Sequence, residues 1–451
     1  MRAIKLGLLL SLAFLLLSPQ LASFAGGSQA PMAHVGPVPA VDWRHYHDYE
    51  ELTSILQGLE QAHPDLVELS SIGASWQGRD IWAITITDEG ARGDKVGILL
   101  VGYHHARERI SLEVPLYVTW RLVLEAHRNE TIASLLERVV FYVVPALNPD
   151  GIWVSEVNPW HRKNLRPVDD DGDGLVDEDP PEDVDGDGTI YWWWNDTASG
   201  FEGIDDDGDG LVNEDWPGGV DLNRNYGFHW NDTSADSGSS DPSAEDYIGP
   251  APFSEPETRA LRDFVLSRPD IELAISYHSG AACVLYPWSY TRDPCPHERE
   301  LAELAEAYGE VAGLPYKAGE VPVAYTCSGE WGDWMYAVAH ALPLTVEVYG
   351  MYGNWTWWEE HTEEVNGTCY FKGIWAYFNP PEGEIEDLCS RNYEAVIAVL
   401  LSYLPPEEPE EPKPPPQEPP ENPLERFISI LAVIGASALS ITILLIWLRK
   451  R

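Results

Sequence analysis

His105 and Glu108, in Tyr103-His-His-Ala-Arg-Glu108, stand at a spacing that lets an imidazole nitrogen and a carboxylate oxygen share one metal ion. With a third ligand from elsewhere, Zn2+ would keep its fourth position open for water, the arrangement of a hydrolytic centre. Such a centre also needs a general base and a clamp for its substrate. A second chemistry is written into residues 165–218. Asp169-x-Asp171-x-Asp173-Gly174 recurs as Asp205-x-Asp207-x-Asp209-Gly210, each followed by Leu-Val, and Asp183-x-Asp185-x-Asp187-Gly188 is a partial third copy. Alternating carboxylates with glycine at the sixth position wrap oxygen ligands around Ca2+, and Asp177 adds one more to the first copy. Pro180 stands where an EF-hand has its closing glutamate, so these are calcium-loop-like repeats rather than EF-hands. A structural Ca2+ is expected, because carboxylates packed so densely repel one another without a cation.

The metal pair must be positioned by what precedes it. Val96-Gly-Ile-Leu-Leu-Val101 is a continuous apolar run, as in a strand buried on both faces of an α/β sheet. Its polar continuation then lies at the strand's C-terminal end, where open α/β sheets place their sites. Further strands are predicted at 66–72, 80–87, 139–145, 271–277 and 342–348, and helices at 47–62, 110–126, 255–267, 298–311 and 390–404. The alternation gives one large α/β domain over 42–404, with 165–218 as an acidic insertion.

The 451 residues carry 74 acidic against 28 basic side chains, a net charge of −46, which disfavours nucleic acid and favours divalent cations or cationic peptides. Residues 1–25 read as a secretory signal, a basic start followed by the apolar run Leu6–Leu17. Residues 26–41 form a short loop, too short for an inhibitory prosegment, so an active product is expected. After the Pro/Glu-rich linker 405–426 comes an uncharged apolar segment, 427–448, long enough for a transmembrane helix, and then Arg449-Lys-Arg451. The basic tail would be cytoplasmic and the domain outside the cell, anchored to the cell membrane. Export allows disulfides; of five cysteines, Cys283–Cys295 and Cys369–Cys389 are plausible local bridges, although sequence does not fix connectivity. Asn129, Asn195, Asn231, Asn354 and Asn366 are glycosylation sequons.

Four more motifs follow His105-Ala-Arg-Glu108 along the chain. They are Asn148-Pro-Asp-Gly151 with Trp160-His-Arg-Lys163, Asp221-Leu-Asn-Arg-Asn225, Ser276-Tyr-His-Ser279, and Tyr325 with Asp333-Trp334 and Glu347. In this order they resemble the zinc metallocarboxypeptidases of the carboxypeptidase A and T type, over residues 42–404 apart from the insertion. The resemblance implies a mixed, twisted central sheet flanked by helices. It implies His278 as the third zinc ligand beside His105 and Glu108, with His104 only a neighbour. Glu347 would be the general base, Arg162 the carbonyl-polarising cation and Tyr325 a residue closing on the substrate. Asn223 and Arg224 would hold the substrate's terminal carboxylate, Arg107 would add a substrate contact, and Asp221 would orient the His105 ring. The position that most often sets side-chain preference falls on Gly332, which offers neither an acid nor an apolar floor. Glu330, two residues earlier, could accept Lys or Arg. The substrates implied are peptide or protein C-termini. Two other readings stay open: a peptidase of cell-wall peptides or a deacylase on the same fold, and a non-catalytic calcium-binding surface module.

Overall fold

The computed structural model describes residues 36–405, apart from 92, 170–172, 214, 217, 317–322 and 324, together with 446, 448 and 449. The expected signal segment, Asp171, the linker from residue 406 and, but for Ile446 and Leu448, the apolar segment 427–448 lie outside the described residues. Among the described residues no helix is long and apolar enough to cross a membrane. The chain divides into two units, one ending at Tyr403 and one running from Leu404 to Arg451.

In chain order the strands are β1 Val67–Ala74, β2 Asp80–Ile86, β3 Val96–Val101, β4 Val139–Val144, β5 Trp192–Trp194, β6 Ser199–Phe201, β7 Ile271–His278, β8 Cys283–Leu285, β9 Leu342–Glu347, β10 Thr362–Val365 and β11 Thr368–Phe371. The α-helices are α1 Tyr49–Ala62, α2 Ile110–Glu125, α3 Glu130–Arg138, α4 Gly151–Val157, α5 Pro256–Leu266, α6 Glu298–Ala312, α7 Trp331–Trp334, α8 Trp355–Glu360, α9 Ile374–Phe378 and α10 Ile385–Tyr403. The central sheet has the order β1-β2-β4-β3-β7-β9-β8. β4, β3, β7 and β9 run parallel, while β1–β2, β2–β4 and β9–β8 pair antiparallel, so the sheet is mixed as expected.

Side chains alternate across a strand, and both sides of β3 are covered. Leu99 and Val101 pack with Val144, Ala274 and the apolar face of α5 (Leu261, Phe264, Val265). Ile98 and Leu100 point the other way and are equally buried; α2 packs against β2, β4 and β7, and α10 packs against α2 and α6. α1 begins at a capping box, Asp48 with Glu51, and buries Leu52, Leu56 and Leu59 at helical spacing. α10 starts at Ile385, five residues before the sequence expectation, because Ile385, Leu388 and Cys389 extend its buried face.

The insertion is not a free loop. β5 and β6 form a hairpin that adds to the β10–β11 hairpin, giving a second sheet in the order β10-β11-β5-β6, with Trp193 opposite Tyr370. Its apolar side joins Trp160, Ile190, Phe371, Tyr377 and Phe378. The expected disulfides are absent: all five cysteines are free thiols. Cys369 belongs to this second sheet whereas Cys389 is buried in α10, and Cys283 is buried in β8.

The parallel strands deliver their C-terminal ends to one edge. There Gly102 ends β3; a Cβ on it would lie 2.3 Å from the Ser111 carbonyl oxygen and 2.6 Å from that of Pro145. Only glycine lets the chain pass between them. Gly102→Ala is therefore expected to cost about 3 kcal/mol or more, read as a lower midpoint in denaturant unfolding.

Candidate active site

β7 and β9 pair in parallel with His278 beside Glu347, and the turn after β3 brings His105 and Glu108 to the same edge. Tyr103 shapes that turn. It takes a positive φ of 60°, donates its hydroxyl to the Ala106 carbonyl at 2.5 Å, and accepts the Asn148 N–H on its own carbonyl at 3.0 Å.

His105, Glu108 and His278 are buried together. His105 Nδ1 lies 2.7 Å from Glu108 Oε1, His278 Nδ1 lies 3.1 Å from Glu108 Oε2, and the two Nδ1 atoms are 3.2 Å apart. The far sides of both rings are already engaged: His105 Nε2 is 3.0 Å from Asp221 Oδ1, and His278 Nε2 is 3.0 Å from Ser276 Oγ. If each ring gives its Nε2 proton to that outer partner, both Nδ1 lone pairs face a carboxylate and each other. That arrangement is repulsive unless a cation sits between them, so the donor set fits Zn2+. Burial raises the Glu108 carboxyl, but His105 and His278 outweigh it and hold the acid well below the usual carboxylate range. Glu347 is pushed up to about 8, first by burial and then by the charge of Glu108. A cation on Glu108 would remove that second cause.

One cavity of about 650 Å3 is lined by every catalytic, zinc-ligand and substrate residue expected from sequence except Gly332, while Asp221 is not in its lining. Asp221 lies behind His105, and its Oδ2 accepts Arg162 Nε at 3.0 Å and Nη2 at 2.9 Å. Arg162 Nη1 is 3.8 Å from Glu108 Oε1. Arg224 is buried, with Nη1 on the Asn223 carbonyl at 2.8 Å and Nε on Ser237 Oγ at 3.2 Å, and no carboxylate of the described residues pairs with it. Asn223 accepts the Trp331 N–H at 3.0 Å on its side-chain oxygen, which leaves its NH2 as the free donor. Tyr325 lines the cavity although 47% exposed. Arg107 is clamped from outside: Nη1 and Nη2 meet the two oxygens of Glu245 at 3.0 and 3.1 Å, and the guanidinium lies 4.5 Å over Phe378.

Gly332 and Glu330 share one space. A Cβ on Gly332 would fall 3.0 Å from Glu330 Oε2, so the missing side chain leaves room for the buried Glu330 carboxylate. Glu330 Oε2 accepts the Asp333 N–H at 3.0 Å, and Oε1 accepts Thr345 Oγ1 at 3.3 Å. Among the described residues no Lys or Arg pairs with it. Asp333 is pushed up to about 7 by burial and then by the Glu330 charge.

Sequence reasoning did not single out Ser276, Glu245, Asn164 or Glu257. Ser276 was within reach, since two residues before His278 on one strand means the same face. Asn164 had no local signal. Its side chain and backbone take the N–H and C=O of Val220, which joins the Arg162 segment to the Asp221 segment. Asn164 Nδ2 donates in turn to Glu255 at 2.9 Å and Glu257 at 3.0 Å.

The acidic repeats lie apart from this cavity. Asp179 and Asp215 bridge antiparallel; Asp177 N–H donates to Asp215 Oδ2 and Asn213 N–H to Asp179 Oδ2, each at 3.2 Å, so the two copies face each other reciprocally. Carboxylates converge as Asp173–Glu178–Asp207, Asp205–Asp207–Asp209 and Asp183–Asp185–Glu202. Asp169, Asp177 and Asp187 join none of these groups; Asp177 instead accepts the Gly218 N–H and Asp187 pairs with Lys372.

The zinc carboxypeptidase (peptidase M14) family model matches residues 52–395. The chain belongs to that family. It is 29% identical over 323 residues to carboxypeptidase B of Astacus astacus, covering 69% of this chain and 90% of that one. Mouse carboxypeptidase A1 is 26% identical over 315 residues, with 68% of this chain matched to 64% of that protein. The match to zinc carboxypeptidase A 1 of Anopheles gambiae spans 58% of that relative. The fold is shared with thrombin activatable fibrinolysis inhibitor, TM-score 0.59 at 22% identity over 82% of this chain and 77% of the other. Carboxypeptidase A of Helicoverpa armigera gives TM-score 0.59 at 20% identity over 81% and 76%.

Glu257, at the far end of the Asn164 anchor, makes the stability of this zinc carboxypeptidase pH-dependent through its burial. Burial pushes Glu257 from an ordinary 4.5 up to about 8. Between those values the folded chain binds a proton that the unfolded chain has released, so this group's contribution falls as pH rises. Wild-type stability measured against Glu257→Gln should therefore decline from about pH 5 to pH 8. A constant difference across that range would contradict the assignment.

Proposed function

We propose that this chain is a zinc exopeptidase that removes C-terminal residues from peptides and proteins, with a pocket that accepts basic side chains. The observation that carries the reading is Arg224. It is a buried guanidinium without a carboxylate partner among the described residues, in the same cavity as the three metal-ligand candidates. A planar fork in that setting suits the terminal carboxylate of a peptide, with the Asn223 NH2 as second donor.

Zinc held by His105, Glu108 and His278 would supply Lewis acidity and an activated water. Glu347 takes the proton of the attacking water and passes it to the leaving amine. Arg162, kept beside the ligands by Asp221, meets the negative charge that grows on the scissile carbonyl. Tyr325 covers the substrate from the exposed side. The basic preference rests on Glu330, a buried acid with neutral donors and no cation among the described residues, which a substrate Lys or Arg would supply. From the patterns of 1–25 and 427–448 we infer that the domain is exported and works outside the cell on a membrane stalk.

The zinc-loaded protein should release residues one at a time from a peptide's C-terminus, followed by end-group analysis. Glu347→Gln should lower kcat by roughly 10^2–10^4 while metal analysis shows zinc retained. Internal cleavage, or full activity in that variant, would refute the mechanism. Glu330→Gln should reduce kcat/KM for Arg-terminated peptides roughly 30-fold or more and leave Phe-terminated ones nearly unchanged. An equal loss on both would remove its role in selection.

A further inference from the structure

Of the three carboxylate groups in the insertion, two consist of exposed or half-buried side chains and carry nothing alone. The third contains a buried member. Glu202, 3% exposed, follows β6 directly, donating its N–H to the Tyr191 carbonyl and accepting the Glu182 N–H, each at 3.0 Å. Its side chain turns under the Asp183–Asp187 loop, where Oε1 accepts the N–H groups of Val184 and Asp185, both at 3.0 Å. Oε2 is sealed from solvent and has no hydrogen-bond partner among the described residues. A buried carboxylate oxygen in that state is costly. The cost is raised by Asp183 and Asp185, each with an oxygen within 4.8 Å of one on Glu202 and of each other. Lys372 pairs with Asp187 and lies 3.7 Å from Asp185, so the one ammonium here meets two of the carboxylates and is no ion-pair partner of Asp183 or Glu202 among the described residues.

We propose that Asp183, Asp185 and Glu202 form a calcium site. Three carboxylates with no nitrogen or sulfur donor suit a hard cation. Two oxygens bound to one Ca2+ at about 2.4 Å lie at most about 4.8 Å apart, and each pair among the three carboxylates meets that bound. Glu202 distinguishes this loop from the other two copies, because it is a buried member and ties the loop to the second sheet. That sheet packs on Trp160, Tyr377 and Phe378, and the last two line the catalytic cavity. The ion's role is to fix the insertion against the cavity wall, and it does not depend on the hydrolase reading.

The test counts Ca2+ bound per chain by equilibrium dialysis of the zinc-loaded full chain, for wild type, Glu202→Gln and Asp185→Asn. Asp185 is an exposed loop residue, so its variant reports on the site even if Glu202→Gln fails to fold. Each variant should bind one ion fewer than wild type or bind it at least tenfold more weakly. Calcium should raise the thermal midpoint of wild type more than that of Asp185→Asn. Wild type that binds no calcium would overturn the site, as would Asp185→Asn binding the same number with the same affinity.

Discussion

Two imidazole nitrogens 3.2 Å apart, both against one carboxylate, are the constraint to which the rest of the domain answers. Such a contact survives in a dry interior only if the rings are held from behind and a positive charge is welcome in front. Asp221 and Ser276 do the holding. Four parallel strands ending at one edge bring together segments more than 200 residues apart in sequence, and Gly102 lets the first of them turn without collision. Asp221 also braces Arg162, so one acid serves a ligand and a cation at once. The loss of that acid would disturb both through geometry rather than through charge alone.

Much of this was legible in the chain. The apolar run before His105 marks a buried strand, and polar residues directly after such a run belong at a sheet edge. Glu347 was conspicuous for the same reason, an acid ending an interior strand. The motifs in family order then named the partners. What stayed hidden depended on contacts without a period. Glu245 meets Arg107 across 138 residues, and Asn164 reaches Glu257 across 93. β5 and β6 are three residues each, too short for alternation to show, and the aromatic run Trp192–Trp194 reads as easily as a buried helix turn. The cysteine pairing failed because spacing along the chain says nothing about which sheet or helix each thiol joins.

The pocket floor shows how side-chain volume and charge trade places. Gly332 supplies only emptiness, yet that emptiness is what seats Glu330 beside Asp333. Burial and then the Glu330 charge raise the Asp333 carboxyl, and a cation in this space would offset that charge. The shape and charge of this part of the cavity are therefore set by a pair of positions, one absent side chain and one present.

The hairpin β5–β6 completes the sheet begun by β10–β11. Without the insertion, β11 would be left with a bare edge of unpaired amides, and the indoles facing Phe371 would lose their cover. Deleting the acidic segment would therefore not merely shorten a loop: it would strip a strand from the second sheet and bare apolar surface next to the residues that wall the cavity.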